Sequence, residues 1–266
     1  MRNLQLFLLF ARRRIRAQLE YPASFAIEVV TTLAFSFLDF AGILVLFHNV
    51  QRISTWSVSE VAFLYATSAL SFSLTEMCLG SLDELPELIR SGNLDLLLAR
   101  PVSVLLSVVT ENFFLRRIGR SLQATGVLVY AIATLSIHWT FAKVVCLLAM
   151  LVCGAVIFGA AWIAASCVLF WSVDGRETMN VLTTGASTLA EYPIGVYGRW
   201  LRMLFAYAIP VAFVTYFPSL YILDKPDALG LPPVLRFLAP VAATLAVVVA
   251  GLLWRAGLRR YTSAGG

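Results

Sequence analysis

The sequence predicts an all-α integral membrane protein with six transmembrane helices and both chain ends in the cytoplasm. Three observations lead to this fold class. Of the 266 residues, 60% are hydrophobic and only 13% are charged, about half the charged fraction of a soluble domain. The apolar residues form six continuous runs, without the alternation typical of a barrel strand. The basic residues are distributed unevenly between alternate loops, which indicates the orientation.

The chain begins with apolar residues at helical spacing, from Leu4 to Ile15, and with arginines that lie largely off this stripe. We expect residues 1–20 to form an amphipathic helix in the cytoplasmic membrane interface, with its arginines near anionic headgroups. An equally good interpretation is that these arginines only determine the topology.

A membrane helix needs about 20 apolar residues to cross a hydrocarbon layer of ~30 Å. The runs that meet or approach this length are residues 23–47, 58–80, 121–137, 142–171, 200–223 and 233–254. With the N-terminus inside, sixteen of the twenty Lys and Arg residues lie in the cytoplasm. Only Arg52, Lys143, Lys225 and Arg236 face outward. We treat the whole chain, 1–266, as one transmembrane domain.

Asp39 is the deepest ionisable residue of the first run, and such residues are costly in a membrane unless they are paired or hydrated. If the chain forms a transport path, we expect Asp39 on this translocation path or at its outer gate, meeting a cationic substrate. A buried hydrogen bond to a neighbouring helix is the alternative. Pro210 lies near the middle of the fifth run, where it permits a kink. Either close packing of the helix or gating of a path would explain this proline.

The loop 81–101 between the second and third runs has the pattern of two short helices. Pro86 suits the first turn of one helix and Gly92 its C-terminal end. Asn93 or Asp95 would then cap a second helix that ends before Pro101. Apolar and charged residues alternate through the loop, so we expect a stiff helical elbow on which a soluble protein docks. An interfacial connector is the alternative.

Two further segments have a weaker pattern. Residues 101–120 are expected to form a helix that follows the membrane interface before entering the bilayer. Residues 172–199 are rich in Thr and Ser and contain Pro193. The topology places them in the cytoplasm as an amphipathic helix, where they could form a second docking surface.

The elbow sequence from Ile89-Arg-Ser-Gly-Asn-Leu-Asp95 to Arg100-Pro101 resembles the first cytoplasmic loop of type-2 ABC-transporter permeases. The later Glu191-Tyr-Pro193, Pro210 and Tyr216-Phe-Pro218, and the terminal Trp254 to Tyr261, are similar to the bacterial six-helix permeases of that class. The resemblance covers essentially the whole chain. It implies an exporter subunit in the bacterial cytoplasmic (inner) membrane.

The resemblance also implies partners: a dimer of ABC ATPase subunits, and a second permease that is the same or a related chain. The elbow would couple to the ATPase. The residues expected to carry this coupling are Leu85, Pro86, Glu87, Arg90, Gly92, Asp95 and Arg100. ATP and Mg²⁺ are expected in the partner, because neither lysine of this chain, Lys143 or Lys225, follows a glycine as a phosphate-binding loop requires.

The remaining observations concern what the chain is not expected to do. Its four cysteines lie in apolar runs without a CxxC pair, and it has two histidines, so we expect no metal site. Its basic residues form no continuous patch, so we expect no nucleic acid partner. We expect no enzymatic activity and no bound cofactor. Two alternatives remain: a membrane enzyme or scaffold acting on lipids, and an ion-driven secondary transporter.

Overall fold

The computed structural model describes residues 20, 22–49, 55–99, 103–111, 118–171, 176–193, 197–198, 210–227 and 230–261. Most of these residues are helical, and none of them lies in a strand. The helices are α1 (Pro22–Asn49), α2 (Val58–Leu79), α3 (Leu85–Arg90), α4 (Asn93–Leu98), α5 (Val104–Glu111), α6 (Ile118–Thr134), α7 (Phe141–Ser166), α8 (Arg176–Ala190), α9 (Tyr216–Ile222) and α10 (Ala239–Arg260).

Four helices are long and apolar enough to cross a membrane. They are α1, α2 with its continuation to Arg90, α7 with its continuation to Phe170, and α10. They coincide with the first, second, fourth and sixth apolar runs, so the all-helical fold class is confirmed. The third run forms α6, whose 17 residues span about 26 Å at 1.5 Å per residue.

Helix α2 lies at the centre of the bundle. In its most apolar window 72% of the residues are buried, against 17% in α1. Helices α6 and α7 pack against α2, α1 packs against α6, and α8 and α10 pack against α7. The α2 sequence alternates Ser and Thr with large apolar residues, and both kinds are buried there, which fits a helix surrounded by protein.

Small residues and hydroxyl groups hold these helices close together. A Cβ at Gly154 of α7 would lie 2.7 Å from the Ser71 hydroxyl of α2, so only glycine allows this approach. The Thr75 hydroxyl donates to the Ala155 carbonyl at 2.8 Å. On the other side of α2, the Ser73 and Ser121 hydroxyls are 2.8 Å apart. Hydrogen bonds of this kind join membrane helices at modest but favourable energy.

The prediction of a cytoplasmic segment at 172–199 is wrong for residues 176–190. These residues form α8, which packs along α7. The Ser68 hydroxyl, at the middle of α2, donates to the Ser187 carbonyl at 3.3 Å. The helix itself agrees with the prediction, but its polar composition concealed its position in the bundle, because its hydroxyls are satisfied within the helix. Thr183 donates to the Met179 carbonyl at 3.0 Å, for example.

The fifth apolar run, 200–223, is predicted as one membrane span in which Pro210 permits a kink, and the structure differs from this by more than a kink. Its described part is a 3₁₀ turn, Pro210–Phe213, followed by the seven residues of α9. The Thr215 hydroxyl donates to the Ala190 carbonyl at 2.8 Å. The turn therefore lies beside the end of α8, which Glu191, Tyr192 and Pro193 follow. We call α8, the turn and α9 together the broken helix; residues 194–196 and 199–209, which connect its two parts, lie outside the described residues. Proline at 193 and 210 removes backbone donors that a continuous helix needs.

Two predictions fall wholly or partly outside the described residues. The interfacial helix at 1–20 lies there except for Glu20, which is in a turn. The helix expected over 101–120 is seen as α5 and as the first turn of α6, and residues 112–117 between them are not described.

Candidate functional site

The elbow consists of the 3₁₀ turn Gly80–Glu84, α3 and α4. Pro86 lies in the first turn of α3, where a backbone N–H would have no hydrogen-bond acceptor within the helix. Gly92 joins the two helices with a φ of 71°, a left-handed conformation that favours glycine. Both features agree with the pattern read from the sequence, except that Asn93 is the first residue of α4 and Gly92 is its cap.

One side of the elbow is buried against the bundle. The five side chains on this side are at most 5% exposed: Leu82, Leu85, Ile89, Leu94 and Leu97. They belong to one apolar cluster with residues of α5, α7, α8 and α10. The Ser81 hydroxyl also donates to the Val109 carbonyl of α5 at 3.4 Å. The elbow is therefore a fixed part of the bundle.

The opposite side of the elbow is open and carries both charged and apolar residues. Glu87 and Arg90 are exposed on α3. On α4, Leu96 is 65% exposed and Leu98 is 42% exposed. A surface with neighbouring charges of both signs around exposed leucines has the composition of a docking surface for protein.

The end of α10 reaches the elbow through Tyr261. Its hydroxyl lies beside the Asp95 carboxylate, and burial together with this negative charge raises the tyrosine pKa. Its ring lies 6.4 Å from the ring of Phe170, which also packs edge-on against Trp254 at 5.3 Å. Gly257 lies directly under the Phe170 ring. The elbow, the end of α7 and the end of α10 are thus in one contact network.

A second group of polar residues lies inside the bundle. Arg120 of α6 is 3.7 Å from the Glu76 carboxylate of α2, and its guanidinium lies 5.1 Å from the centre of the Phe72 ring. Glu191, at the break in the broken helix, is 8% exposed. The charges of Arg120 and Asp39 both act on it. The ion pair of Glu76 and Arg120 lies at the elbow end of the bundle, because Glu76 is three residues before the end of α2 and Arg120 is two residues after the start of α6.

Tyr65 and Gln123 lie on the same two helices, α2 and α6, further from the elbow end. The Tyr65 hydroxyl donates to the Ser36 carbonyl of α1 at 3.2 Å and approaches Gln123 Oε1 at 3.5 Å. The Tyr65 ring is 5.3 Å from the ring of Phe40. These contacts join α1, α2 and α6 at the same depth.

Charged residues also gather at the end of the bundle opposite the elbow. Lys143 Nζ, on a side chain that is 7% exposed, pairs with Asp224 Oδ2 at 2.5 Å. Lys225 Nζ is 2.9 Å from Glu60 Oε2 and lies 4.6 Å from the centre of the Trp56 ring. We call this set the polar clasp. It attaches the segment after α9 to the first turns of α2 and α7.

Comparison with known proteins decides the family. The model of the ABC-2 family transporter proteins matches residues 33–265, which is nearly the whole chain. The chain belongs to the ABC-2 transporter family. No curated protein and no solved structure matches it. The resemblance to type-2 ABC permeases is thereby confirmed, and this multi-pass membrane chain is a component of membrane transport.

The structure separates the predicted coupling residues of this ABC-2 permease into two kinds. Leu85 and Pro86 are buried and hold the elbow in place, whereas Glu87 and Arg90 are exposed. Gly92 sets the angle between α3 and α4, and Asp95 is half-buried beside Tyr261. Arg100 lies outside the described residues.

The two residues predicted on the translocation path lie in different places. Asp39 is exposed on α1 of the isolated permease chain. Pro210 lines an apolar cavity of about 580 Å³ whose described lining comes from α7, α8, α10 and the neighbourhood of the 210–213 turn. The cavity lining is mostly Ala, Leu and Val, with no charged side chain among the described residues.

Sequence reasoning missed Glu191, Arg120 and Tyr261 as site residues. Glu191 and Tyr261 were noted only within motifs that resemble the permease family. The sequence does contain a signal for Glu191. An acidic residue followed by Tyr-Pro between two helical segments indicates that the helix is interrupted there and that a charged side chain lies at the interruption. Among the described residues, no three His, Cys, Asp or Glu side chains lie close enough together to hold a metal ion.

Proposed function

We propose that this chain is the permease subunit of an ATP-driven ABC exporter, and that it forms half of the translocation pathway. The observation that carries the proposal is the elbow in a chain of the ABC-2 family. It is anchored to the bundle by buried leucines and presents a mixed charged and apolar surface. ATP and Mg²⁺ would be bound by a dimer of separate ABC ATPase subunits docked on that surface.

The proposed topology has six spans with both chain ends in the cytoplasm of a bacterial inner membrane. The four long helices supply four spans, α6 the third, and the broken helix from α8 to α9 the fifth. Basic residues support this orientation. Arg90, Arg255 and Arg259 lie at the elbow end, which is then cytoplasmic. The polar clasp is then on the outer side.

The membrane part would be completed by a second permease chain. Asp39 supports this, because an ionisable side chain exposed at membrane depth is costly against lipid. The surface of α1 that carries Asp39 would therefore face the second permease or the hydrated path between the two. Pro210 would contribute to the path as part of the broken helix.

Coupling through the elbow can be tested by co-expressing the permease with a candidate ABC ATPase and measuring co-purification and ATP hydrolysis. Leu96→Asp places a charge on the exposed surface without disturbing the buried leucines, so we expect the ATPase to be lost from the complex. Gly92→Ala meets no neighbour within 4 Å but strains a left-handed backbone, so we expect a weaker complex.

The matched control is Arg259→Gln, which changes an exposed side chain at the same end of the bundle but outside the elbow. It should leave the complex intact. Unchanged co-purification and ATP hydrolysis with both elbow variants would overturn the assignment of the elbow as the docking surface.

A further inference from the structure

The apolar cavity between α7, α8 and α10 occupies the half of the bundle nearer the elbow. One end, at Ala186, is next to Ser187, whose carbonyl accepts a hydrogen bond from Ser68 at the middle of α2. The other end, at Ala160, is level with Leu79, the last residue of α2, which lies 2.9 Å from the Cβ position of the preceding glycine. From Ser68 to Leu79 is about 16 Å of helix, or half of a hydrocarbon layer of ~30 Å. The cavity therefore has the length of one leaflet.

Small apolar side chains create this cavity. Eight of its sixteen described lining residues are alanines. Alanines four residues apart usually allow two membrane helices to close on each other, but Ala242, Ala246 and Ala250 of α10 line a space instead. Its volume of about 580 Å³ is roughly four times that of the ~150 Å³ apolar cavity that holds benzene. By that measure, a hydrocarbon chain of up to roughly 20 carbon atoms fits.

The cavity opens to the outside of the bundle along α10. Val241, Leu245 and Val249 of its lining are 52%, 61% and 53% exposed. No exposed residue of α10 between Val241 and Leu253 is charged, and the Thr244 hydroxyl donates within the helix. Such a surface lies against lipid, where no water is available to fill the space. A molecule that enters the cavity therefore comes from the bilayer, whose lipid chains match its length.

Exposed arginines follow on α10, beyond the elbow end of the cavity. Arg260 is eighteen residues after Ala242, which is five full turns, so the two residues lie on one face of the helix. Arg260 is about 15 Å along the helix from Ala250, and helical side chains lean back toward the N-terminus. Arg259 and Arg260 are both exposed, and no acid in the described part of the chain pairs with either.

These two features match the two parts of a phospholipid. The lining of the cavity carries no charge among the described residues, which suits an acyl chain. Guanidinium groups bind phosphate oxygens through paired hydrogen bonds, and basic residues just outside a membrane helix attract anionic lipids. A soluble anion would leave the cavity empty, and a molecule without a phosphate would leave both arginines without a partner.

We propose that the cavity, together with Arg259 and Arg260, binds one anionic phospholipid of the leaflet nearer the elbow. One acyl chain enters from the side, between α7 and α10, and the phosphate meets the guanidinium groups at the end of α10. The chain fills the gap that the alanines leave and joins α7, α8 and α10. The inference goes beyond the proposed exporter function and does not depend on it.

The test uses the purified full chain in phosphatidylcholine nanodiscs. Two probes carry the same photoactivatable acyl chain, one on anionic phosphatidylglycerol and one on phosphatidylcholine, which has no net charge. After irradiation, mass spectrometry of peptides locates the attached lipid. We expect phosphatidylglycerol to label the cavity-lining parts of α7 and α10, and unlabelled phosphatidylglycerol to compete with it. The phosphatidylcholine probe should label these parts at least about fivefold less, because it lacks the net negative charge that the arginines attract.

Two pairs of variants separate the parts of the site. Ala246→Phe fills the cavity and should abolish the labelling of α7, whereas Val247→Phe, at an exposed residue of α10 outside the lining, should not. Arg260→Gln should reduce the preference for phosphatidylglycerol by about fivefold. Arg255→Gln removes the same charge from an exposed position on another face of α10 and should leave the preference unchanged.

Three outcomes would overturn the inference. The first is labelling that is absent from the cavity, as it would be if a second copy of the chain covered it, or that unlabelled lipid does not reduce. The second is equal labelling by the two probes. The third is unchanged labelling in Ala246→Phe together with an unchanged preference in Arg260→Gln. Arg260 is exposed, so its variant tests the site even if Ala246→Phe does not fold.

Discussion

At the scale of single residues, the polar clasp shows how a lysine is held inside an apolar bundle. Lys143 is almost fully buried, and its ammonium group pairs with Asp224, which is 68% exposed. Asp224 has a φ of 52°, an uncommon conformation that Asp and Asn tolerate better than other residues with a side chain. The position therefore requires both a negative charge and a left-handed backbone.

Replacing Asp224 with Asn should separate these two requirements. Asn keeps the left-handed backbone but leaves the Lys143 ammonium without its counter-charge. We expect the free energy of unfolding to fall by about 1 kcal/mol, a modest loss because water screens the exposed carboxylate. Denaturation in detergent micelles measures it. In a protein that already carries Lys143→Met, Asp224→Asn should change the free energy of unfolding little further. An equal loss of this free energy in both backgrounds would show that the effect of Asp224 does not come from its pairing with Lys143.

At the scale of elements, the contact between α1 and α6 depends on one glycine. A Cβ at Gly119 would collide with the Val29 carbonyl oxygen and lie 3.0 Å from the Leu33 amide nitrogen. Both atoms are helix backbone of α1, so they cannot move aside as a flexible side chain would. Gly126, further along α6, has nothing within 4 Å of the same position.

Alanine at these two glycines should have opposite effects. Gly119→Ala should destabilise the protein by about 1 to 3 kcal/mol, because it separates two packed helices. Gly126→Ala should stabilise α6 by about 0.5 to 1 kcal/mol, because alanine loses less backbone entropy in a helix. Thermal unfolding of the purified protein compares them directly. Similar melting temperatures for the two variants would show that α1 and α6 do not pack in this way.

At the scale of the whole molecule, Tyr261 joins the elbow to the long helices. Asp95 of α4 lies beside its hydroxyl, and Phe170 at the end of α7 packs against its ring. Under the proposed function, a displacement of the elbow by the ATPase would reach α7 and α10 through these contacts. The proposed docking surface is elsewhere on the elbow, at Glu87 and Leu96, so ATPase binding and the transmission of its movement can be tested separately.

Tyr261→Phe should test this transmission, since it keeps the ring contact and removes only the hydroxyl beside Asp95. We expect the ATPase to remain bound, while ATP hydrolysis by the assembled complex falls several-fold. Co-purification and the rate of ATP hydrolysis are the two measurements. Leu258→Ala is the control, because Leu258 is half-buried in the last turn of α10. It weakens the packing of this end of the helix without touching the Tyr261 hydroxyl. Equal ATP hydrolysis by the Tyr261→Phe complex and the unmodified complex would exclude Tyr261 from transmission.

The sequence by itself determined that the chain lies in a membrane and that it has four long spans, because these features depend on local composition. It also determined the elbow, because this depends on backbone requirements at single residues such as Pro86 and Gly92. It did not determine the path of α8. Hydropathy counts Thr and Ser as polar, whereas Thr183 satisfies its hydroxyl within the helix and is buried. Only the tertiary structure placed Glu191 within electrostatic range of Asp39 and Arg120, and Tyr261 beside Asp95. These residues are far apart in the chain, and only helix packing brings their charges within reach of one another.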